Sequence, residues 1–169
     1  FTRVSMNTFP TNSENKTEQP KRLNLLLTCS SWRDNSSIVQ LPQLLGPFGI
    51  RALKANNGEE AVRVVENNDI HIAIVDLAIP LTDNTTNRNP GGERVLQILR
   101  RLQPRPPTIV IRPRQASARE NARSLARSLQ EGAFTVVDRP AMLETLLDAL
   151  HRALRKHYSD RWPQTRILE

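Results

Sequence analysis

Two spacings of apolar residues alternate in this chain. Segments 23–29, 50–55, 70–75, 108–112 and 135–137 are short and almost continuously apolar, as in strands buried on both faces of a parallel sheet. At 36–46, 58–67, 92–102, 117–131 and 141–156 apolar residues return every third or fourth position, the period of an amphipathic helix. Strand-length and helix-length segments in strict alternation predict a single α/β domain, a five-stranded parallel sheet with helices on both faces.

Local residues support several of these boundaries. Asn57-Gly58 turns the chain after the second strand, and Glu59-Glu60 then set negative charge at the positive end of the next helix. Gly132 suits the end of the fourth helix, where a left-handed residue costs least without a side chain. In the last helix Met142, Leu146, Ala149 with Leu150, and Ala153 with Leu154 share one face. Pro42 is discordant: it lacks an N–H, which predicts a first helix that begins near Leu41 or kinks there. Residues 1–20 are polar with no apolar period and cannot offset the entropy of ordering. The expected organisation is a flexible arm at 1–20, one domain at 21–157, and a tail at 158–169 too short for a second domain.

Composition narrows the function classes. No apolar run approaches the roughly 20 residues a membrane span needs, and the first residues lack the apolar stretch of a secretory signal, so a cytoplasmic location is expected. A single cysteine, Cys29, excludes an internal disulfide. The net charge of +7 is unevenly placed: residues 1–87 hold eight Lys/Arg against nine Asp/Glu, and residues 88–169 hold sixteen against eight. Nearly all of the second group is arginine, which grips carboxylates and phosphates through a fork of donors. An acidic partner for that half and a merely solvated basic surface are both consistent with this.

Three ordered stretches carry a resemblance. Ala55-Asn56-Asn57-Gly58-Glu59-Glu60-Ala61 is followed by Ile72-Ala73-Ile74-Val75-Asp76-Leu77-Ala78-Ile79-Pro80, and then by Glu131-Gly132-Ala133-Phe134-Thr135-Val136-Val137-Asp138-Arg139-Pro140. Together they resemble the receiver domain of bacterial response regulators over roughly residues 21–156. The resemblance implies a flavodoxin-like, doubly wound sheet with its site at the carboxyl ends of the strands. It also implies that Asp76 occupies the position of the family's phosphate-accepting aspartate.

At the other site positions the resemblance implies replacement. The acidic pair that binds magnesium in a working receiver aligns with Cys29 and Ser30, neither a good ligand for a hard cation. Asp34 is near enough in sequence to substitute if the loop curls back. The family's hydroxyl residue on the fourth strand aligns with Arg112, its lysine with Arg139, and its switch aromatic with Val136. Phosphoryl transfer to a carboxylate relies on positioning and charge neutralisation, much of it from the metal. Loss of two metal-binding carboxylates costs several kcal/mol of that stabilisation, at tenfold in rate per ~1.4 kcal/mol. A lasting ion pair of Asp76 with Arg139 or Arg112 is the expected substitute, fixing the domain in one state. A ten-residue insertion, 81–90, separates Pro80 from Gly91-Gly92 at the mouth of the site, and its polar composition reads as a surface loop.

Arg119, Arg123 and Arg127 recur every fourth residue and are expected on one face of the fourth helix, opposite Ala122, Leu125, Ala126 and Leu129. This row is either an interaction face or a solvated polar face. His71, His151 and His157 show no metal-ligand spacing with Cys29 or with one another, so no zinc site is assigned. No phosphate-cradling glycine loop, nucleophile elbow or catalytic carboxylate pair is present, and an enzyme is not expected. The first reading is therefore a degenerate receiver that binds other proteins, with no cofactor unless the altered site still takes magnesium. Its partners would be a histidine kinase, a downstream effector, or a second copy through the face between the fourth and fifth helices. The alternatives are a phosphorelay receiver still phosphorylated on Asp76 through a site rearranged around Asp34, and a nucleic-acid-binding module using the arginines of the second half.

Overall fold

The structure, a computed structural model, describes residues 22–28, 36–83, 91–113 and 116–158. Strands β1 (Leu23–Thr28), β2 (Ile50–Ala55), β3 (Ile72–Asp76), β4 (Thr108–Arg112) and β5 (Thr135–Asp138) alternate with helices α1 (Ser36–Leu45), α2 (Gly58–Asn67), α3 (Gly91–Arg101), α4 (Ala118–Gln130) and α5 (Leu143–Tyr158). Every strand pair is parallel, and the order across the sheet is β2-β1-β3-β4-β5. The winding therefore reverses between β1 and β3, where an open α/β sheet leaves a crevice beyond its strand ends.

Side chains alternate along each strand, so every strand feeds two cores. Leu25, Leu27, Ile72, Ile74, Ile109, Ile111 and Val137 point to one face, which is covered by Ile38, Leu41 and Leu45 of α1 and by Leu146, Ala149, Leu150, Ala153 and Leu154 of α5. Leu26, Ala73, Val75 and Val110 point to the other, covered by Ala61 and Val65 of α2 and by Val95, Leu96 and Leu99 of α3. Helix α4 contributes no apolar side chain to either core.

Several local causes act as the sequence implies. Asn57 caps α2 by accepting from the backbone N–H of Glu60 at 2.8 Å, while the Glu60 carboxylate accepts from the N–H of Asn56 at 2.7 Å. Gly132 takes φ +96° after α4, and its N–H donates to the Leu129 carbonyl. The insertion begins pinned to α2: Gly58 and Glu59 N–H groups donate to the carbonyls of Pro80 and Leu81, and the Asn57 amide donates to Asp83. Residues 84–90 lie outside the described residues.

Four expectations need correction. The alternative that helix α1 begins near Leu41 is overturned: it starts at Ser36 and includes Pro42, and Ile38, Leu41 and Leu45, on one face at helical spacing, are buried. Helix α5 starts after Met142, which is 60% exposed and lies off the buried stripe. Strand β3 runs one residue further than expected, to Asp76. That carboxylate is fully buried. The fourth correction is the orientation of α4, whose cause lies in the site. No helix among the described residues is long and apolar enough to cross a membrane.

Candidate functional site

The register of the sheet sorts the charged residues at its carboxyl end. Asp76 lies beside Ile111, and Ile111 beside Val137. Arg112 and Asp138, each one residue further, lie beside one another and face the opposite side. The chain then brings Arg139 back to the side of Asp76. Alternation alone thus separates Arg112 from Arg139.

Asp76 is held from several directions. Thr28, at the end of β1, accepts from the Asp76 backbone N–H at 2.9 Å and donates its hydroxyl to the Ile74 carbonyl at 3.2 Å. The N–H of Ala78 donates to Asp76 Oδ1 at 2.9 Å, closing a turn that carries the chain out of the strand. Arg139 Nη2 donates to Asp76 Oδ2 in a direct ion pair. The guanidinium is about one quarter exposed and the carboxylate fully buried, so Arg139 shields the acid from solvent. Such a pair is costly to break from one side, because a charge is then left buried without compensation. The Arg139 backbone N–H also donates to the Arg112 carbonyl, and its peptide bond to Pro140 is cis.

Arg112 does not reach Asp76. It is 2% exposed. Its Nε donates to Asp138 Oδ1 at 2.5 Å, its Nη1 to the Asn121 carbonyl at 2.9 Å, and its Nη2 to the Asn121 side-chain oxygen. This guanidinium therefore ties the end of β4 to β5 and to the first turns of α4. Of the two arginines offered as the partner of Asp76, Arg139 takes that place, and strand alternation turns Arg112 to Asp138.

A buried arginine requires polar company, and α4 supplies it. The helix turns Asn121, Ser124 and Ser128 inward, while Ala122, Leu125, Ala126 and Leu129 lie exposed. The apolar side chains expected opposite the arginine row thus face solvent as well, with Leu125 37% and Leu129 48% exposed. Arg119, Arg123 and Arg127 are also exposed, on the neighbouring flank. Arg127 is engaged with Glu93 of α3 and with Glu131, which leaves Arg119 and Arg123 outside any ion pair among the described residues.

Among the described residues, no three His, Cys, Asp or Glu side chains converge. The Asp76 oxygens that would bind a cation already accept from Ala78 and Arg139. Cys29, Ser30 and Asp34 lie outside the described residues. Val136 is half-buried and packs with the second core. His71 accepts through Nδ1 from the Asn24 N–H at 2.9 Å and stacks edge-on with Tyr158, far in sequence from Cys29.

Sequence reasoning gave no role to Thr28, Asn121 or Asp138. For Asp138 a signal existed, since opposite charges at the matching ends of the fourth and fifth strands mark a cross-strand pair. For Asn121 and Thr28 there was none, because their partners are set by tertiary contact.

No family model matches the chain, and no curated protein matches it. Solved structures do. A CheY-like response regulator receiver domain protein from Methanospirillum hungatei shares 21% identity at a TM-score of 0.61, covering 82% of this chain and 98% of its own. The signal receiver domain of a putative Luxo repressor protein from Vibrio parahaemolyticus shares 19% at 0.63, covering 82% and 95%. The signal receiver domain of an HD domain-containing protein from Pseudomonas fluorescens shares 22% at 0.60, covering 82% and 98%. The chain has the receiver fold.

Proposed function

We propose that this chain is a signalling domain of the response-regulator receiver type that works by binding other proteins in the cytoplasm, in one fixed state and without enzymatic chemistry. The observation that carries the proposal is the Arg139–Asp76 ion pair. In a switching receiver the aspartate must be open to a phosphoryl donor and neutralised by a metal during transfer. Here a guanidinium supplies that neutralisation permanently and covers the oxygen that would attack. Arg112 supports the same reading. Where the family carries a hydroxyl residue, this chain carries a buried cation already committed to Asp138 and Asn121, which fixes α4 to the sheet. A histidine kinase or a downstream effector is the class of partner that fits such a domain.

The test is intact-mass measurement after incubation of the chain with a small phosphodonor and magnesium. The expected result is an unchanged mass, the same as for Asp76→Asn. A phosphoryl adduct on the natural chain that Asp76→Asn abolishes would sink the proposal and establish phosphorylation at Asp76 instead.

A further inference from the structure

Because every strand is parallel, all strands start at one edge of the sheet and every helix returns to that edge. It lies at the opposite end of the sheet from Asp76. Where β4 and β5 begin, cations collect on it. Arg100 and Arg101 close α3, Arg105 leads into β4, and Arg155 and Lys156 fall in the last turn of α5. All five are exposed. Contacts between the elements join them into one patch. Arg105 Nε donates to the Arg100 carbonyl at 3.2 Å, and the Arg105 guanidinium lies so close to Gly132 that a side chain there would touch it. Two residues on, the Phe134 ring carries Lys156 Nζ 5.7 Å from its centre and meets His157 edge-on.

None of these five cations is in an ion pair among the described residues, and Glu131, beside Gly132, is taken by Arg127. Helix ends account for part of the patch. Each carboxyl terminus carries roughly −0.5 of a charge, so α3 and α5 together offset about one cation. The others repel one another without compensation.

We infer that this edge is a docking surface for the phosphate backbone of a duplex nucleic acid, gripped without regard to base sequence. This is a second contact, beyond the protein binding proposed above. The chemistry of the patch selects the occupant. A protein partner needs an apolar centre to its interface and a membrane needs apolar side chains to insert, yet none of the exposed large apolar side chains belongs to this patch. A single strand calls for an open aromatic face on which bases stack, and Phe134 is half-buried with Lys156 over its ring. A duplex asks only for positive charge, since it presents one phosphate charge per ~1.7 Å of its axis, and arginine forks fit phosphate oxygens.

The test titrates the full chain into a short labelled duplex of arbitrary sequence and follows fluorescence anisotropy over a series of salt concentrations. Saturable binding is expected, with log K falling against log salt at a slope of about −4 to −5 if all five cations engage. Neutralising Arg100, Arg101 and Arg105 together to Gln should bring the slope to about −2, each phosphate contact being worth about one unit. Lys156→Gln alone should remove about one unit, so the outcome does not hang on the folding of the triple variant. A charge-matched control, with Arg94, Arg119 and Arg123 changed to Gln on other surfaces, should leave the slope unchanged. A duplex of different sequence should bind equally well. No binding at low salt, or equal losses from the patch and the control variants, would overturn the inference. Tighter binding to phosphatidylserine vesicles or to polyglutamate than to the duplex would overturn it too, by giving the patch to a membrane or to an acidic protein.

Discussion

Helices α4 and α5 carry apolar stripes of similar regularity and meet opposite fates. In α5, Leu146, Ala149, Leu150, Ala153 and Leu154 are buried against one face of the sheet. In α4 the only buried residue is Ser128, and the leucines lie outside. Periodicity shows that a helix has an apolar side without showing which way that side turns. What lies under the helix decides that. Beneath α5 are Ile109, Ile111 and Val137, whereas the first turns of α4 meet the guanidinium of Arg112.

The largest expected contrast is between truncations of the two stripes. Leu150→Ala should cost about 2–5 kcal/mol in denaturant unfolding, the range for emptying a packed site. A cost as small as that of a surface change would mean that α5 does not carry the core. Arg112→Met removes the feature that sets the two helices apart. It should cost about 1–3 kcal/mol, as loss of hydrogen bonds to a charged group does, with Asp138 left free to turn to water because its side chain is already half exposed. Amide hydrogen exchange should then quicken in α4 while α5 keeps its protection. Equal protection of α4 with and without Arg112 would show that something else sets its rotation. The smallest effect is expected from Leu129→Ser, within about 0.5 kcal/mol as for other surface changes. A loss comparable to that of Leu150→Ala would mean that the stripe is packed after all.

Arg112 and Arg139 differ in the same way. Arg139 follows β5 and returns to the side of Asp76, while Arg112 ends β4 on the opposite side, beside Asp138. Both were visible in the sequence as cations near the carboxyl end of a sheet. Which of them meets the acid depends on a register of one residue, since a shift of one moves a side chain to the other face. The pairing of Ile111 with Asp76 is not written in local spacing.

By itself the sequence determined the order and type of the elements, because continuous apolar runs and helical periods are local and strong. It also determined the turns at Asn57-Gly58 and Gly132 and the position of Asp76 at the end of the third strand. Of the two outcomes expected at Pro42, a helix start near Leu41 is ruled out, since α1 begins at Ser36 and buries Ile38, Leu41 and Leu45. Tertiary structure alone decided which arginine meets Asp76, the hold of Asn121 on Arg112 and the outward roll of α4. The physical reason is that a buried guanidinium requires several acceptors at once. Those acceptors come from Asn121 and Asp138, whose convergence on Arg112 exists only once β4, β5 and α4 are assembled.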